Sequence, residues 1–273
     1  MTLAFAPSYA VLVAVQAALV LPPSRRSRVA SSRLLGLAVP GAALVIGVSL
    51  ARARGGADFL ASLAAFATPV LAASAGWTRG WRAPWLAAVA VPPLYALAWL
   101  RPGTLDGDAA RVALIGGACL AVTAIVAAVA PRSWLTAGLL LLVALDIVFV
   151  WGSRQAAPAM QTLQAASPPS IGRPLPSLQQ VDFGDATMGW LDLAAPALLG
   201  LLVRDRLRAA LATGVAAGLW GLLFFATSPI AATPPVLAGL AAGGTWACAN
   251  RGSVSTRRSR AASGSCSRRP ASS

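Results

Sequence analysis

Long apolar runs dominate the chain and leave few folds open to it. A helix needs about 20 mostly apolar residues to cross the roughly 30 Å hydrocarbon core of a bilayer. Segments of this kind follow one another along the 273 residues, at 5–22, 34–51, 57–76, 84–100, 111–130, 134–152, 185–203, 207–226 and 233–248. We therefore predict an all-α polytopic membrane protein with nine transmembrane helices, in a membrane domain that covers residues 1–250.

The charge composition agrees with a membrane protein and excludes several kinds of active site. Charged residues make up 11% of the chain, against about 25% in soluble domains. Histidine is absent, which rules out Ser-His-Asp and Cys-His catalysis and removes the commonest metal ligand. The three cysteines form no metal-binding or disulfide pattern. Chemistry must therefore come from Asp, Ser, Thr, Arg or the backbone, and we expect no cofactor and no metal.

The arginines predict how the chain is oriented. All positive side chains are arginines, and sixteen of the 22 fall on one side if the predicted spans alternate. Because the Arg-rich side of a membrane protein is normally cytoplasmic, we predict an external N-terminus and a cytoplasmic C-terminus in a prokaryotic plasma membrane. The first span has no basic start, so we interpret it as a retained helix rather than a cleaved signal peptide.

Residues 251–273 form a basic tail rich in Ser, Arg and Ala. The tail has no apolar periodicity, so we predict that it is disordered. Its arginines suit contact with anionic lipid. The high net charge follows from the orientation of the protein in its membrane, and we expect no nucleic-acid partner.

Asp146 stands out among the acidic residues because it lies inside an aliphatic run. It sits about six residues from the Trp151-Gly152 end of the sixth predicted span, roughly 9 Å deep at about 1.5 Å per residue. A charged carboxylate at the centre of a membrane helix costs about 2.5–3.5 kcal/mol. Such residues usually serve a function, although a protonated aspartate that hydrogen-bonds a neighbouring helix is the structural alternative.

A polar, proline-rich segment separates the sixth and seventh predicted spans. Residues 153–184 cannot cross a membrane, so we predict a long loop there, in which 178–183 is either a strand edge or a plain connector. The loop ends in Asp182-Phe183-Gly184-Asp185, and we expect the seventh helix to begin at Asp185. An Asp in that position commonly caps free N–H groups. Asp192 lies on the same helical face, one to two turns deeper.

These elements resemble the intramembrane aspartyl proteases of the presenilin and signal peptide peptidase family. In that family one catalytic Asp commonly follows a Tyr in the sixth span, a second ends a Gly-x-Gly-Asp motif in the seventh, and a Pro-Ala-Leu motif opens the ninth. The corresponding residues here are Leu145-Asp146, Asp182-Phe183-Gly184-Asp185 and Pro235-Val236-Leu237. Leu145, Asp182 and Val236 depart from the family pattern. The external N-terminus is similar to that of signal peptide peptidase.

The resemblance implies an intramembrane aspartic endopeptidase that hydrolyses peptide bonds within transmembrane segments of membrane proteins or signal peptides. Asp146 and Asp185 would share one proton, so that one acts as the base on a water and the other as the acid on the carbonyl oxygen. Its partners would be transmembrane-helix substrates and the lipid bilayer.

The same resemblance assigns supporting roles near these two acids. Phe183, Gly184 and the Pro235-Val236-Leu237 motif would support the active site. Independently of the resemblance, Asp182 stands three residues from Asp185, and its like charge is expected to perturb the catalytic pair. Asp192 is the main rival to Asp185, because depth in the membrane pairs Asp146 with Asp192 whereas the family motif selects Asp185.

Other functions use the same acids. A proton-coupled transporter employs intramembrane carboxylates and proline-broken helices, although the sequence shows no convincing internal repeat. A catalytically inactive relative would only bind membrane helices. A prepilin-type peptidase also uses an Asp near a Gly-x-Gly-Asp element, but the lysine that usually follows that element is absent, and so is a Cys-rich cytoplasmic domain.

Overall fold

A computed structural model describes residues 5–23, 49, 53, 55–152, 156–166, 168–222 and 232–244. Most of these residues are helical. The helices are α1 (Phe5–Val20), α2 (Gly56–Arg79), α3 (Trp85–Leu100), α4 (Leu105–Val129), α5 (Arg132–Ile147), α6 (Ala156–Ala165), α7 (Trp190–Leu202), α8 (Arg206–Gly221) and α9 (Pro235–Gly243), and α5 continues as a π-helical turn over Val148–Gly152. The strands are β1 (Ser170–Ile171), β2 (Arg173–Pro174), β3 (Gln180–Phe183) and β4 (Ala186–Gly189).

Three described helical segments are long and apolar enough to cross a membrane, namely Gly56–Arg79, Leu105–Val129 and Arg132–Trp151. Three more are apolar but shorter: α1 and α3 have 16 residues each, and α7 has 13. These lengths and compositions are compatible with a membrane protein. The predicted second span at 34–51, except Ser49, and the basic tail at 251–273 lie outside the described residues.

The segment between α5 and α7 is more regular than the predicted loop. It contains α6, the short β1–β2 pair and an antiparallel hairpin in which Phe183 pairs with Ala186 and Gln180 with Gly189. Of the two alternatives left open for 178–183, the strand is the one present, over Gln180–Phe183. The predicted helix start at Asp185 is wrong: residues 186–189 pair with β3 as a strand, and α7 begins at Trp190.

The hairpin is amphipathic, and this explains where it docks. Val181, Ala186 and Met188 are buried in one apolar cluster with residues of α1 and α4, whereas Thr187 on the opposite face is exposed. This alternation of buried and exposed side chains is the strand period of two. The apolar face fixes the hairpin against the helices, and α7 leaves from its end.

Helix α7 joins the two main apolar clusters. Leu193 near its start packs with Leu12 of α1 and Leu114 of α4, and Leu199 near its end packs in a second cluster with residues of α5, α8 and α9. Small residues permit this close packing. A Cβ at Gly200 of α7 would collide with the backbone of Val20 at the end of α1. Residues on α7 are therefore held from several sides.

Candidate active site

Asp146 lies in the last turn of α5, directly before the π-helical turn. Its side chain is half-buried. One carboxylate oxygen, Oδ2, accepts a hydrogen bond of 2.7 Å from the Thr233 hydroxyl and another of 3.1 Å from the Thr233 backbone N–H. Short π-helical turns occur frequently at functional sites. The acid that the sequence singled out is thus held by a residue 87 positions away.

Thr233 connects Asp146 to the start of the Pro235-Val236-Leu237 motif. It directly precedes Pro234, and α9 begins at Pro235. Pro235 and Val236 are buried, and Leu237 is 37% exposed. The structure therefore brings two of the sequence-predicted elements, Asp146 and the beginning of this motif, to the same place.

Asp192 lies in the first turn of α7 and caps it. Its Oδ2 accepts a hydrogen bond of 2.8 Å from the backbone N–H of Gly189, the residue before the helix. Its carbonyl oxygen accepts one of 3.1 Å from the side-chain amide of Gln16 on α1. Helices α5 and α7, which carry Asp146 and Asp192, share one apolar cluster, and the negative charge of Asp146 acts on Asp192. Two helices, α5 and α7, each supply one carboxyl to this site.

Asp185 lies elsewhere, in the two-residue turn of the β3–β4 hairpin, and it is exposed. It lies four positions before Gly189, which at about 3.3 Å per residue of extended chain places it roughly 13 Å along the strand from the start of α7. The negative charge of Asp146 acts on Asp192. The geometry therefore favours Asp192, the rival acid, over Asp185 as the partner of Asp146.

Gly184 shapes the hairpin turn and docks it. Its φ is +54°, a value that favours glycine, and its N–H donates a hydrogen bond of 3.2 Å to Oδ2 of Asp108 in α4. A Cβ at this position would collide with the Ser8 hydroxyl of α1. Phe183 packs half-buried against the adjoining apolar cluster. Phe183 and Gly184 thus hold the hairpin that leads into α7.

Asp182 belongs to the polar face of the hairpin. Its carboxylate accepts hydrogen bonds from the Thr187 hydroxyl at 2.9 Å and from the Gln180 side-chain amide at 3.2 Å. Thr187 stands directly opposite Asp182 in the register, so this contact is a cross-strand pair. The Asp182 carboxylate is therefore engaged in hydrogen bonds within the hairpin itself.

The chemistry at the site is that of two carboxyls and a hydroxyl in apolar surroundings. In the described part of the chain, no group of three or more Cys and Asp side chains is arranged to hold a metal ion. Cys119 is fully buried, and its thiol donates at 3.6 Å to the Trp190 carbonyl in the first turn of α7. Paired carboxyls can transfer protons to and from a bound water and an amide.

Sequence reasoning missed Thr233 and Gly189. Thr233 precedes two consecutive prolines, which is a visible signal for a helix start, but nothing local indicates that it binds Asp146. Gly189 stands three residues before Asp192, at the spacing of the first Gly and the Asp in a Gly-x-Gly-Asp motif. That spacing, with Leu191 in place of the second Gly, could have drawn attention to Asp192.

Comparisons with known proteins give no match to a protein-family model, to a curated protein or to a solved structure. The function has to be argued from the residues of the site.

Proposed function

We propose that this chain is an intramembrane aspartic endopeptidase whose catalytic pair is Asp146 and Asp192. The observation that carries the proposal is that α5 and α7 pack in one apolar cluster and each carries a carboxyl, with Asp146 acting electrostatically on Asp192 and lying against Thr233 at the start of α9. Two like charges in apolar surroundings cannot both ionise cheaply, so such a pair holds one proton. A singly protonated pair of carboxyls is the working state of aspartic proteases.

The reaction then needs one water and no covalent intermediate. The ionised carboxyl takes a proton from the water as the water oxygen attacks the amide carbon, and the other carboxyl gives its proton to the carbonyl oxygen. The resulting tetrahedral diol breaks down when the protonated carboxyl gives its proton to the nitrogen, the C–N bond cleaves, and the ionised carboxyl takes the proton of one diol hydroxyl. One carboxylic acid and one amine are released, and the pair returns to its singly protonated state.

The β3–β4 hairpin is consistent with a helical peptide substrate that has to be unwound before it is cleaved. Carbonyl groups of a transmembrane helix are engaged in hydrogen bonds between residues i and i−4 and must be freed before attack. In the described part of the chain, β3 pairs with no strand other than β4, so an extended substrate would add to its outer edge near the half-buried Asp182. The proposed substrates are transmembrane segments of membrane proteins or signal peptides.

The membrane frame is part of the same proposal. Nine spans, with the N-terminus outside and the C-terminus in the cytoplasm of a prokaryotic cell, would put both acids inside the bilayer. The three long apolar helices support such a frame. The proposal keeps the resemblance to the presenilin and signal peptide peptidase family but assigns the second catalytic acid to Asp192 instead of Asp185. The segment that corresponds to the Gly-x-Gly-Asp motif is then Gly189-Trp190-Leu191-Asp192.

Cleavage of a tagged reporter tests the proposal. We suggest the full chain in liposomes, together with a protein whose single transmembrane segment carries glycines near its centre and a tag at each end. Asp146→Asn and Asp192→Asn keep the size of each side chain but remove its acid–base function, so each should slow cleavage by about 10³-fold or more.

Two results would overturn the proposal. One is a wild-type chain that leaves every reporter intact. The other is wild-type cleavage by either asparagine variant. Circular dichroism of each variant should match the wild type, which separates loss of chemistry from loss of fold. Reporters that stay intact while the chain drives proton-coupled uptake of a solute would favour the transporter instead.

A further inference from the structure

Thr233 contacts the Asp146 carboxylate with both of its hydrogen-bond donors. The residue is 1% exposed. Its hydroxyl lies 2.7 Å and its backbone nitrogen 3.1 Å from the same oxygen, Oδ2. Buried Thr123, by contrast, donates its hydroxyl to the Cys119 carbonyl of its own helix, as threonines in helices commonly do.

The start of α9 explains why both donors are free to point at Asp146. Pro234 and Pro235 follow, and proline has no N–H, so Thr233 offers the last backbone donor before the helix. The carbonyl of Thr233 accepts a hydrogen bond of 3.0 Å from Val236, which ties its backbone into the first turn. The positive end of the α9 dipole also favours a carboxylate at this position.

The two acids are held differently. Asp192 receives a hydrogen bond from Gly189, which lies in its own segment and caps its own helix. Asp146 receives both of the hydrogen bonds described above from a different element, so its orientation depends on the docking of α9. Two donors on one oxygen restrict rotation of the carboxylate, and hydrogen bonds to an ionised carboxylate are among the stronger ones in proteins.

We propose that Thr233 is a positioning residue for the hydrolytic reaction: it holds Oδ2 of Asp146 so that Oδ1 is directed to the attacking water. The inference rests on the proposed function of Asp146 and Asp192. It adds that α9 builds the active site through this residue, which stands before the Pro235-Val236-Leu237 motif.

Conservative substitutions at this position test the inference with the same tagged reporter. Thr233→Val keeps the shape and removes the hydroxyl, so kcat should fall about 10- to 100-fold while KM changes by less than about two-fold. Thr233→Ser restores the hydroxyl and should recover kcat to within about three-fold of the wild type. If the Val variant does not fold, Thr233→Ala compared with Thr233→Ser makes the same comparison.

Thr213 provides a matched control on α8. It is also 1% exposed and faces α9 at Gly239, but among the described residues its hydroxyl has no hydrogen-bond partner. Thr213→Val should therefore leave kcat unchanged. Wild-type kcat in the Thr233→Val variant, no recovery with Ser, or an equal loss in Thr213→Val would each overturn the inference. A wild-type chain without any cleavage would instead defeat the proposed function itself.

Discussion

Two polar centres lie along α7 in the apolar interior, and they are built in opposite ways. Arg79, in the last turn of α2, is fully buried and donates hydrogen bonds to the carbonyls of Leu120 and Ala197 and to the Thr123 hydroxyl. Asp146 and Asp192 are only half-buried. The arginine is enclosed by its own chain, whereas the two residues that carry the carboxyls retain some exposed surface.

The difference shows that burial of a charge does not by itself indicate a function. Arg79 uses its donors to join α2, α4 and α7, which is a structural task. The carboxyl pair retains acceptor capacity that a water or a substrate can use. None of the ion pairs seen in the described part of the chain includes Asp146 or Asp192. No arginine there neutralises the pair and stops it from exchanging a proton.

Removal of Arg79 should give the largest loss of stability. Arg79→Ala leaves a cavity and breaks three hydrogen bonds, so we expect the free energy of unfolding to fall by about 3 kcal/mol. Arg79→Met refills the space and removes a charge that has no acidic partner among the described residues, so it should recover at least half of that loss. Tryptophan fluorescence during titration with SDS measures both values.

The alternative outcome for Arg79 is equally informative. If the alanine variant is as stable as the wild type, the side chain does not join the helices and the contrast with the carboxyl pair fails. If the methionine variant is as unstable as the alanine variant, the charge itself is required, and Arg79 would have to be examined as a second functional centre.

The sequence made Asp146 predictable for a physical reason. One charge in an aliphatic helix is conspicuous, because the cost of placing it in lipid has to be offset. Most described helices also begin and end close to the predicted limits, since Pro, Gly and charged residues interrupt the apolar runs. The orientation of the acids was harder to predict, because it depends on contacts between distant segments such as Asp146 and Thr233.

The region before α7 shows why local sequence misleads. Phe183-Gly184-Asp185 matches a helix-opening motif when it is considered alone, but Gly184 and Asp185 also suit a two-residue hairpin turn. The hairpin forms instead of the helix because Val181 and Met188 pair across the strands and bury one face of the hairpin on α1 and α4. Because this face is buried, the helix begins at Trp190 and not at Asp185, and Asp192 lies in its first turn.

Substitution of Gly184 in the hairpin turn tests how the β3–β4 hairpin is held against α1. Gly184→Ala imposes a positive φ on a residue with a Cβ and drives that Cβ into Ser8, so we expect a loss of about 2 kcal/mol in the free energy of unfolding. Gly172→Ala is the matched control, because Gly172 has a φ of +74° with open space around it. It should cost only about 1 kcal/mol.

The same SDS titration measures this pair of glycine variants. Equal losses at the two positions would mean that backbone strain accounts for the whole effect and that the contact with Ser8 is unimportant. A larger loss at Gly184 would show that α1 and α4 hold the hairpin, and with it the start of α7, against the bundle.

The smallest effect should come from Asp185→Asn, and this result separates the two candidate partners of Asp146. Asp185 is exposed in the hairpin turn, so its neutralisation should change the rate of reporter cleavage by less than about two-fold and stability by less than about 0.5 kcal/mol. Asp192→Asn, measured in parallel, should abolish cleavage. If Asp185→Asn abolishes cleavage while Asp192→Asn does not, then the hairpin must rearrange to bring Asp185 to Asp146, and the pair assigned here would be the wrong one.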